Sequence, residues 1–398
     1  MEKKKLLISS GGLKIGGLER LLVEYINFIE NDNVYEVELF LMSDFGQKNT
    51  ITDNVKKEIK IRYIKDSSLI SKKEELKKNK KNLMGKLRYS RFLNYEKKIT
   101  HKNYKTYLDE LNDVEVVIDF DISLLKFQKE ISGLKKIAFI HTSLEKYLKD
   151  EGIDIKKYGK KLDNYDKIIV ISQDMKKEMT GLYPYLENKL ELIYNSLDFE
   201  NIIKKSNDAS ILNMEEKELL RKDYFLSVAR LDSRHKDFMT LIKAYNLLKQ
   251  QGIKEKLYII GTGSGETEIK NIIKELSLEQ DVLLLGAKQN PYIWMKNTKL
   301  FIHSSKFEGF GLVLIEAGIL GNVIIASNCP VGPSEILENG KSGLLFETGN
   351  YFELAEKIKS VIDNNDLKEE LRKNMAVSIN RFRIENNLRK LYSIIENL

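Results

Sequence analysis

Residues 309–325 read GFGLVLIEAGILGNVII, seventeen positions with only two polar side chains, Glu316 and Asn322. A helix that is apolar on every face has to be buried, so a chain carrying this stretch must build a core around it. A carboxylate inside such a helix is tolerated only when it is paired or hydrogen-bonded. The stretch follows a short apolar strand, 300–302, and a polar turn, His303-Ser304-Ser305-Lys306. Gly309 and Gly311 let the backbone turn tightly into the helix and let a ligand approach it. The unpaired N–H groups and positive dipole end over Gly309, Phe310, Gly311 and Leu312 suit a phosphate. Glu316 falls roughly 7–8 Å further along the axis at about 1.5 Å per residue, and Glu308 stands just outside on the loop. Two carboxylates flanking a phosphate seat suit hydroxyl groups on either side of a diphosphate, the layout of a sugar nucleotide. A structural glutamate with an Arg or Lys partner fits the same letters, and the stretch by itself leaves both readings open.

A chain of 398 residues, 42% hydrophobic and 31% charged with four prolines, is expected to hold two well-ordered domains. Its single cysteine, Cys329, rules out a disulfide within the chain and fits a reducing cytosol. The opening MEKKKLLISSGG is too briefly apolar for a signal peptide, and no run reaches the roughly 18 apolar residues of a spanning helix. A cytoplasmic protein is expected, at most peripheral on the inner face of the cell membrane. Charge is concentrated in residues 72–105, where thirteen lysines and arginines face three glutamates while the whole chain is only +7. Leu83, Met84, Leu87, Tyr89, Phe92, Leu93 and Tyr95 are interleaved with these bases. That mix suits an amphipathic surface helix on anionic lipid, and equally a solvated lysine-rich segment. Nucleic acid is not expected, for want of a recognition motif beside the charge.

Strand, glycine loop and helix open the chain: residues 5–9, then Gly11 to Gly17, then a helix with Leu18, Leu21, Leu22, Tyr25, Ile26 and Ile29 on one face. Further strands at 35–42, 59–64, 114–118, 136–140 and 167–171 alternate with helical stretches, which argues α/β with parallel sheet. His141 ends one strand, where such sheets open their crevice. Residues 200–222 are polar and read as a linker, and a second α/β unit begins at 224–229. Arg230 follows that strand and Lys236 comes six residues later, two cations able to neutralise a diphosphate, Arg as a fork and Lys as a point charge. Strand 257–260 runs into Gly261-Thr262-Gly263-Ser264-Gly265, and strand 282–285 into Gly286-Ala287-Lys288.

Glu308 and Glu316 form an E-x7-E element, and EGFGLVLIEA resembles the retaining GT-B glycosyltransferases, family 4 (group 1) type. The resemblance is specific over 226–347 and loose over 43–110. It implies two Rossmann-like domains with parallel sheets facing across a cleft: an acceptor domain 1–199, linker 200–222, a nucleotide-sugar domain 223–382, and a C-terminal helix 383–398 returning to the first domain. It implies donor contacts at Gly16 and Gly17 (within GGLER), Gly261, Gly263, Ala287, Lys288, Gly309, Phe310, Gly311 and Leu312. Arg230 and Lys236 would hold the diphosphate, Glu316 the ribose, Glu308 the donor sugar, and His141 the sugar's far side near its reacting carbon. Asp119-Phe120-Asp121 spells the D-x-D metal signature of the other glycosyltransferase fold, but about 190 residues from the phosphate features, and reads as a strand-end loop. No metal or other cofactor is expected. The expected reaction moves a hexosyl or N-acetylhexosaminyl group from a nucleoside-diphosphate sugar, UDP by preference, to a saccharide acceptor. A lipid-linked acceptor in bacterial surface glycan synthesis is expected, with inner-leaflet contact through 72–105. The alternatives are a sugar-nucleotide epimerase or phosphorylase on the same fold, and a non-catalytic partner subunit. A nicotinamide oxidoreductase is the weakest, lacking the ribose acid.

Overall fold

The structure is a computed structural model describing residues 3–14, 16–46, 49, 51–111 and 113–398, so Ile15 of the first glycine loop lies outside it. The chain forms two compact units, Met1–Ile193 with Leu388–Leu398, and Tyr194–Asn387.

The first unit is built on seven strands: β1 (Lys4–Ser10), β2 (Tyr35–Leu41), β3 (Lys60–Tyr63), β4 (Val114–Asp119), β5 (Lys135–Ile140), β6 (Lys167–Val170) and β7 (Leu190–Leu192). They lie in the order β3-β2-β1-β4-β5-β6-β7, each pair parallel. Their apolar runs are buried, as parallel strands covered on both faces require. Helix Gly17–Asp32 seats Leu21, Leu22, Tyr25, Ile26 and Ile29 in the core. The basic segment is a helical pair, Ser67–Lys78 and Leu83–Asp109, started by the side chains of Asp66 and Asn82. The longer helix leaves Leu83, Met84, Leu87 and Tyr95 exposed. Near the chain end the Tyr392 ring lies 5.3 Å from that of Tyr35, and its hydroxyl donates to Asp32 Oδ2 at 3.2 Å.

The second unit has six parallel strands, β8 (Tyr224–Val228), β9 (Lys256–Ile260), β10 (Val282–Leu284), β11 (Leu300–His303), β12 (Ile324–Ser327) and β13 (Leu344–Phe346). Their order is β10-β9-β8-β11-β12-β13. The chain winds outward in opposite directions from β8 and β11, so a crevice opens at the carboxyl ends of these two neighbours, the place where open α/β sheets take ligands. Residues 200–222 are not a free linker: helix Phe199–Ser206 buries Phe199 and Ile202, and a capping box at Asn213 and Glu216 starts helix Met214–Leu220. The opening apolar stretch divides into a buried helix, Leu312–Ile319, a turn at Gly321 (φ 76°), and β12.

Candidate functional site

Two turns meet at the switch point of the second unit. The 232–237 turn after β8 pairs with the 304–307 turn after β11: Lys306 N–H donates to His235 O at 2.7 Å and Asp237 N–H to Ser304 O at 3.0 Å. Ser327, ending β12, holds the second turn in place, accepting from Ser305 N–H at 2.9 Å and donating to Ser305 O at 2.7 Å. The pairing sets Lys236 against Glu308. Glu308 stands on the loop just before the helix, where the sequence places it, and its carboxylate is buried. Oε1 accepts from Lys236 Nζ, from His303 Nε2 at 2.6 Å and from Ser305 Oγ at 2.6 Å. Oε2 has no partner among the described residues. Burial works to raise the Glu308 pKa, but His303 and Lys236 outweigh it and hold the carboxyl well below its usual range. Burial pushes the His303 pKa down against the pull of Glu308, and its Nδ1 is buried without a partner among the described residues. His303 and Ser305 are the two site residues the sequence reading passed over as turn residues. The signal for them was position, at a strand's carboxyl end beside Glu308.

Arg230 leaves β8 at the same crevice, exposed, its guanidinium without a partner among the described residues. The N–H groups of Gly309, Phe310, Gly311 and Leu312 likewise find no acceptor among them. Gly311 enters the helix at φ 96°, a left-handed conformation that glycine takes without strain. Gly332, at φ 102°, packs so tightly on the Phe310 backbone that a Cβ would collide with its carbonyl. The Phe310 ring turns inward, 6.2 Å from Tyr194 and 5.9 Å from Phe382. Glu316 is buried and accepts from Tyr292 Oη at 3.0 Å. Tyr194 Oη donates to Glu335 at 2.7 Å.

The glycine loop after β9 has a structural reason of its own. A Cβ on Gly261 would meet Ala229 O, and one on Gly263 the Leu231 backbone, so both are small because the 229–231 segment lies against them. Gly286 O accepts from Gly261 N–H at 2.9 Å, which brings Ala287 and Lys288 to the same sheet edge. The Lys288 ammonium pairs with Glu216 at 2.7 Å.

In the first unit, Gly16 caps helix Gly17–Asp32 with extended backbone, and Gly17 is its first residue. His141 follows β5, its ring 4.7 Å from Phe120 and 5.7 Å from Phe139. Asp119 and Asp121 are occupied structurally. Asp121 accepts from Gly11 N–H at 2.7 Å and Ser10 Oγ at 3.0 Å, and buried Asp119 accepts from Leu124 N–H at 2.9 Å and from Tyr165 Oη. No group of three or more His, Cys, Asp or Glu side chains able to hold a metal occurs among the described residues.

Parallel sheets in both units, with this topology, are the GT-B glycosyltransferase fold. Residues 211–378, within the second unit, match the family model described as Glycosyl transferases group 1. Among solved structures, Anabaena HepE in complex with UDP and glucose superposes with a TM-score of 0.74 at 18% identity, over 99% of this chain and 100% of that one. The Campylobacter jejuni N-acetylgalactosamine-N,N'-diacetylbacillosaminyl-diphospho-undecaprenol 4-alpha-N-acetylgalactosaminyltransferase is 33% identical over 51% of this chain and 53% of its own length. The Staphylococcus aureus poly(ribitol-phosphate) alpha-N-acetylglucosaminyltransferase is 28% identical over 61% of this chain and 47% of its own length. The chain thus spans about half the length of the curated relatives it matches.

Proposed function

We propose that this chain transfers a hexosyl or N-acetylhexosaminyl group from a UDP-sugar, with retention at the anomeric carbon, to a saccharide acceptor in bacterial surface glycan synthesis. The observation that carries the reading is the unsatisfied donor set at the β8–β11 crevice: the Arg230 guanidinium and the N–H groups of 309–312. Positive groups fixed in place before a diphosphate departs stabilise the charge that develops on it, and in many enzymes such preorganised charge supplies most of the rate gain. Lys236 adds its charge from the wall, and the free Oε2 of Glu308 is placed to accept a sugar hydroxyl while Oε1 stays bound to the protein. Glu316 would take the ribose, with Tyr292 orienting it. His141, at its own strand end, is proposed to act near the reacting carbon, and Gly16-Gly17 beside the phosphates.

The UDP-sugar and the acceptor class rest on the relatives. HepE holds UDP and glucose, and two relatives act, by name, on a diphospho-undecaprenol glycan and a poly(ribitol-phosphate). No helix among the described residues is long and apolar enough to cross a membrane. We propose work at the cytoplasmic face, with contact through exposed Leu83, Met84 and Leu87 and the bases around them. With Arg230 and Lys236 supplying positive charge, no metal is needed in this scheme. A panel of UDP-, GDP- and ADP-sugars, scored for slow hydrolysis and thermal stabilisation with and without EDTA, tests it. One UDP-sugar should stand out and EDTA should not matter. Conversion of donor to its epimer without acceptor would overturn the transferase reading.

A further inference from the structure

A second concave site lies wholly within the first unit, at the carboxyl edge of its sheet. Lys65 comes just after β3 and Lys126 after β4, while Lys73 is carried by helix Ser67–Lys78 and Lys97 and Glu96 by helix Leu83–Asp109. Together they line a cavity of about 150 Å³ floored by Phe127. Pockets for whole small molecules run to about 300–1,000 Å³, so this space suits a group rather than a nucleotide sugar.

Its charge is unbalanced. Four lysines line it beside one buried carboxylate, Glu96, which takes Lys73 at 2.9 Å and Lys65 at 3.5 Å. The carboxylate of Glu130 is turned to His101 at 2.5 Å. Lys126 has no ion-pair partner among the described residues, its ammonium lying 5.4 Å from the Phe127 ring centre. Burial and the neighbouring lysines push the Lys126 pKa down, and burial does the same to Lys65 against the pull of Glu96. Like charges held together in a partly desolvated hollow are unfavourable unless an anion joins them. A carboxylate would bring one negative charge; a phosphate diester brings one with two free oxygens, and a diphosphate brings more, which fits the excess better.

We propose that this cavity binds a phosphate or diphosphate group. Resting on the transferase reading, that group is the phosphate of the acceptor. Arg230, Lys236 and residues 309–312 belong to the other unit and are not among the residues that line this cavity.

The test uses the full chain carrying Arg230→Ala, to weaken pyrophosphate binding at the donor crevice. It is titrated calorimetrically with inorganic pyrophosphate, with farnesyl diphosphate, and with phosphatidylglycerol–phosphatidylcholine vesicles. Pyrophosphate and farnesyl diphosphate should both bind and compete. Lys126→Gln should weaken both by about ten-fold, the size of one charge-assisted hydrogen bond. This lysine keeps solvent contact at the mouth of the hollow and holds no ion pair among the described residues, so the fold survives its change, and a thermal melt checks that. Lys86→Gln with Arg88→Gln, on the same long helix but outside the cavity, should leave pyrophosphate affinity unchanged and weaken vesicle binding alone. Equal pyrophosphate affinity with and without Lys126 overturns the proposal. So does vesicle binding that pyrophosphate fails to displace when pyrophosphate itself does not bind. Absence of turnover of every UDP-sugar by the chain with Arg230 in place, with Lys126-dependent pyrophosphate binding intact, would sink the transferase reading and leave this site standing.

Discussion

Arg230 and Lys236 are six residues apart, yet their removal should do different things. Lys236 closes a buried ion pair with Glu308. Lys236→Ala strands that carboxylate, a change that typically costs about 3–5 kcal/mol, so the melting temperature and donor turnover should fall together. Adding Glu308→Gln to it should restore much of the stability and none of the turnover, which a melt and a hydrolysis assay on the same preparations would show. Arg230 is exposed and has no partner among the described residues. Arg230→Ala should shift stability by no more than about 0.5 kcal/mol while turnover drops about 100-fold or more. An unaltered rate would remove this guanidinium from the proposed chemistry. The placing of both cations and both glutamates around strand ends and a glycine turn could be read from the letters, because such punctuation announces itself. The Lys236–Glu308 bond and the part of His303 in it could not, since these depend on two turns 70 residues apart meeting edge to edge.

At the scale of elements, the parallel strands were legible wherever an apolar run was long enough to be buried on both faces. β7 and β13 were not: Glu191 interrupts the apolar run of β7 and that of β13 stops at three residues, whereas β10, equally short, is followed by Leu285, which lengthens its run to four. The end of β4 carries a feature that composition hides. Asp119 is fully buried, and burial with the nearby Asp121 charge raises its pKa from 3.8 to about 7. The folded unit therefore keeps a proton through a window in which the unfolded chain has lost it. Stability then declines as pH rises from 3.8 to about 7, and is flat above. Asp119→Asn removes the titrating group and keeps an amide oxygen to accept from Leu124 N–H and Tyr165 Oη. The stability of the native chain should fall by about 1 kcal/mol or more between about pH 5 and about pH 8 relative to this variant. Denaturant melts of both proteins at the two pH values measure it, and parallel curves would place the Asp119 proton elsewhere.

At the scale of the whole molecule, the family match begins at residue 211 and ends at 378, whereas the second unit runs from Tyr194 to Asn387. The difference is not trimming. Helix Phe199–Ser206 buries Phe199 and Ile202, and its C-terminal end is tied to the sheet side by Asn290 Nδ2, which donates to Lys205 O at 2.7 Å. At the other end Phe382 is fully buried, 5.2 Å from Tyr194 and 5.9 Å from Phe310. Phe310 in turn sits in the backbone run whose N–H groups face the proposed phosphate. A fragment cut to 211–378 therefore loses the ring contacts that fix the 309–312 loop, and bares apolar surface worth about 1.5–3 kcal/mol for each large side chain. A fragment of residues 194–387 keeps them all, along with Arg230, Lys236, Glu308 and Glu316. It should fold cooperatively and bind UDP within about three-fold of the full chain, a difference of less than ~1 kcal/mol, while transferring nothing. The shorter piece should aggregate or bind at least ~10-fold more weakly. Calorimetric titration of UDP into both decides it: equal binding by the two fragments would mean that the helix and Phe382 lie outside what holds the phosphate seat in shape.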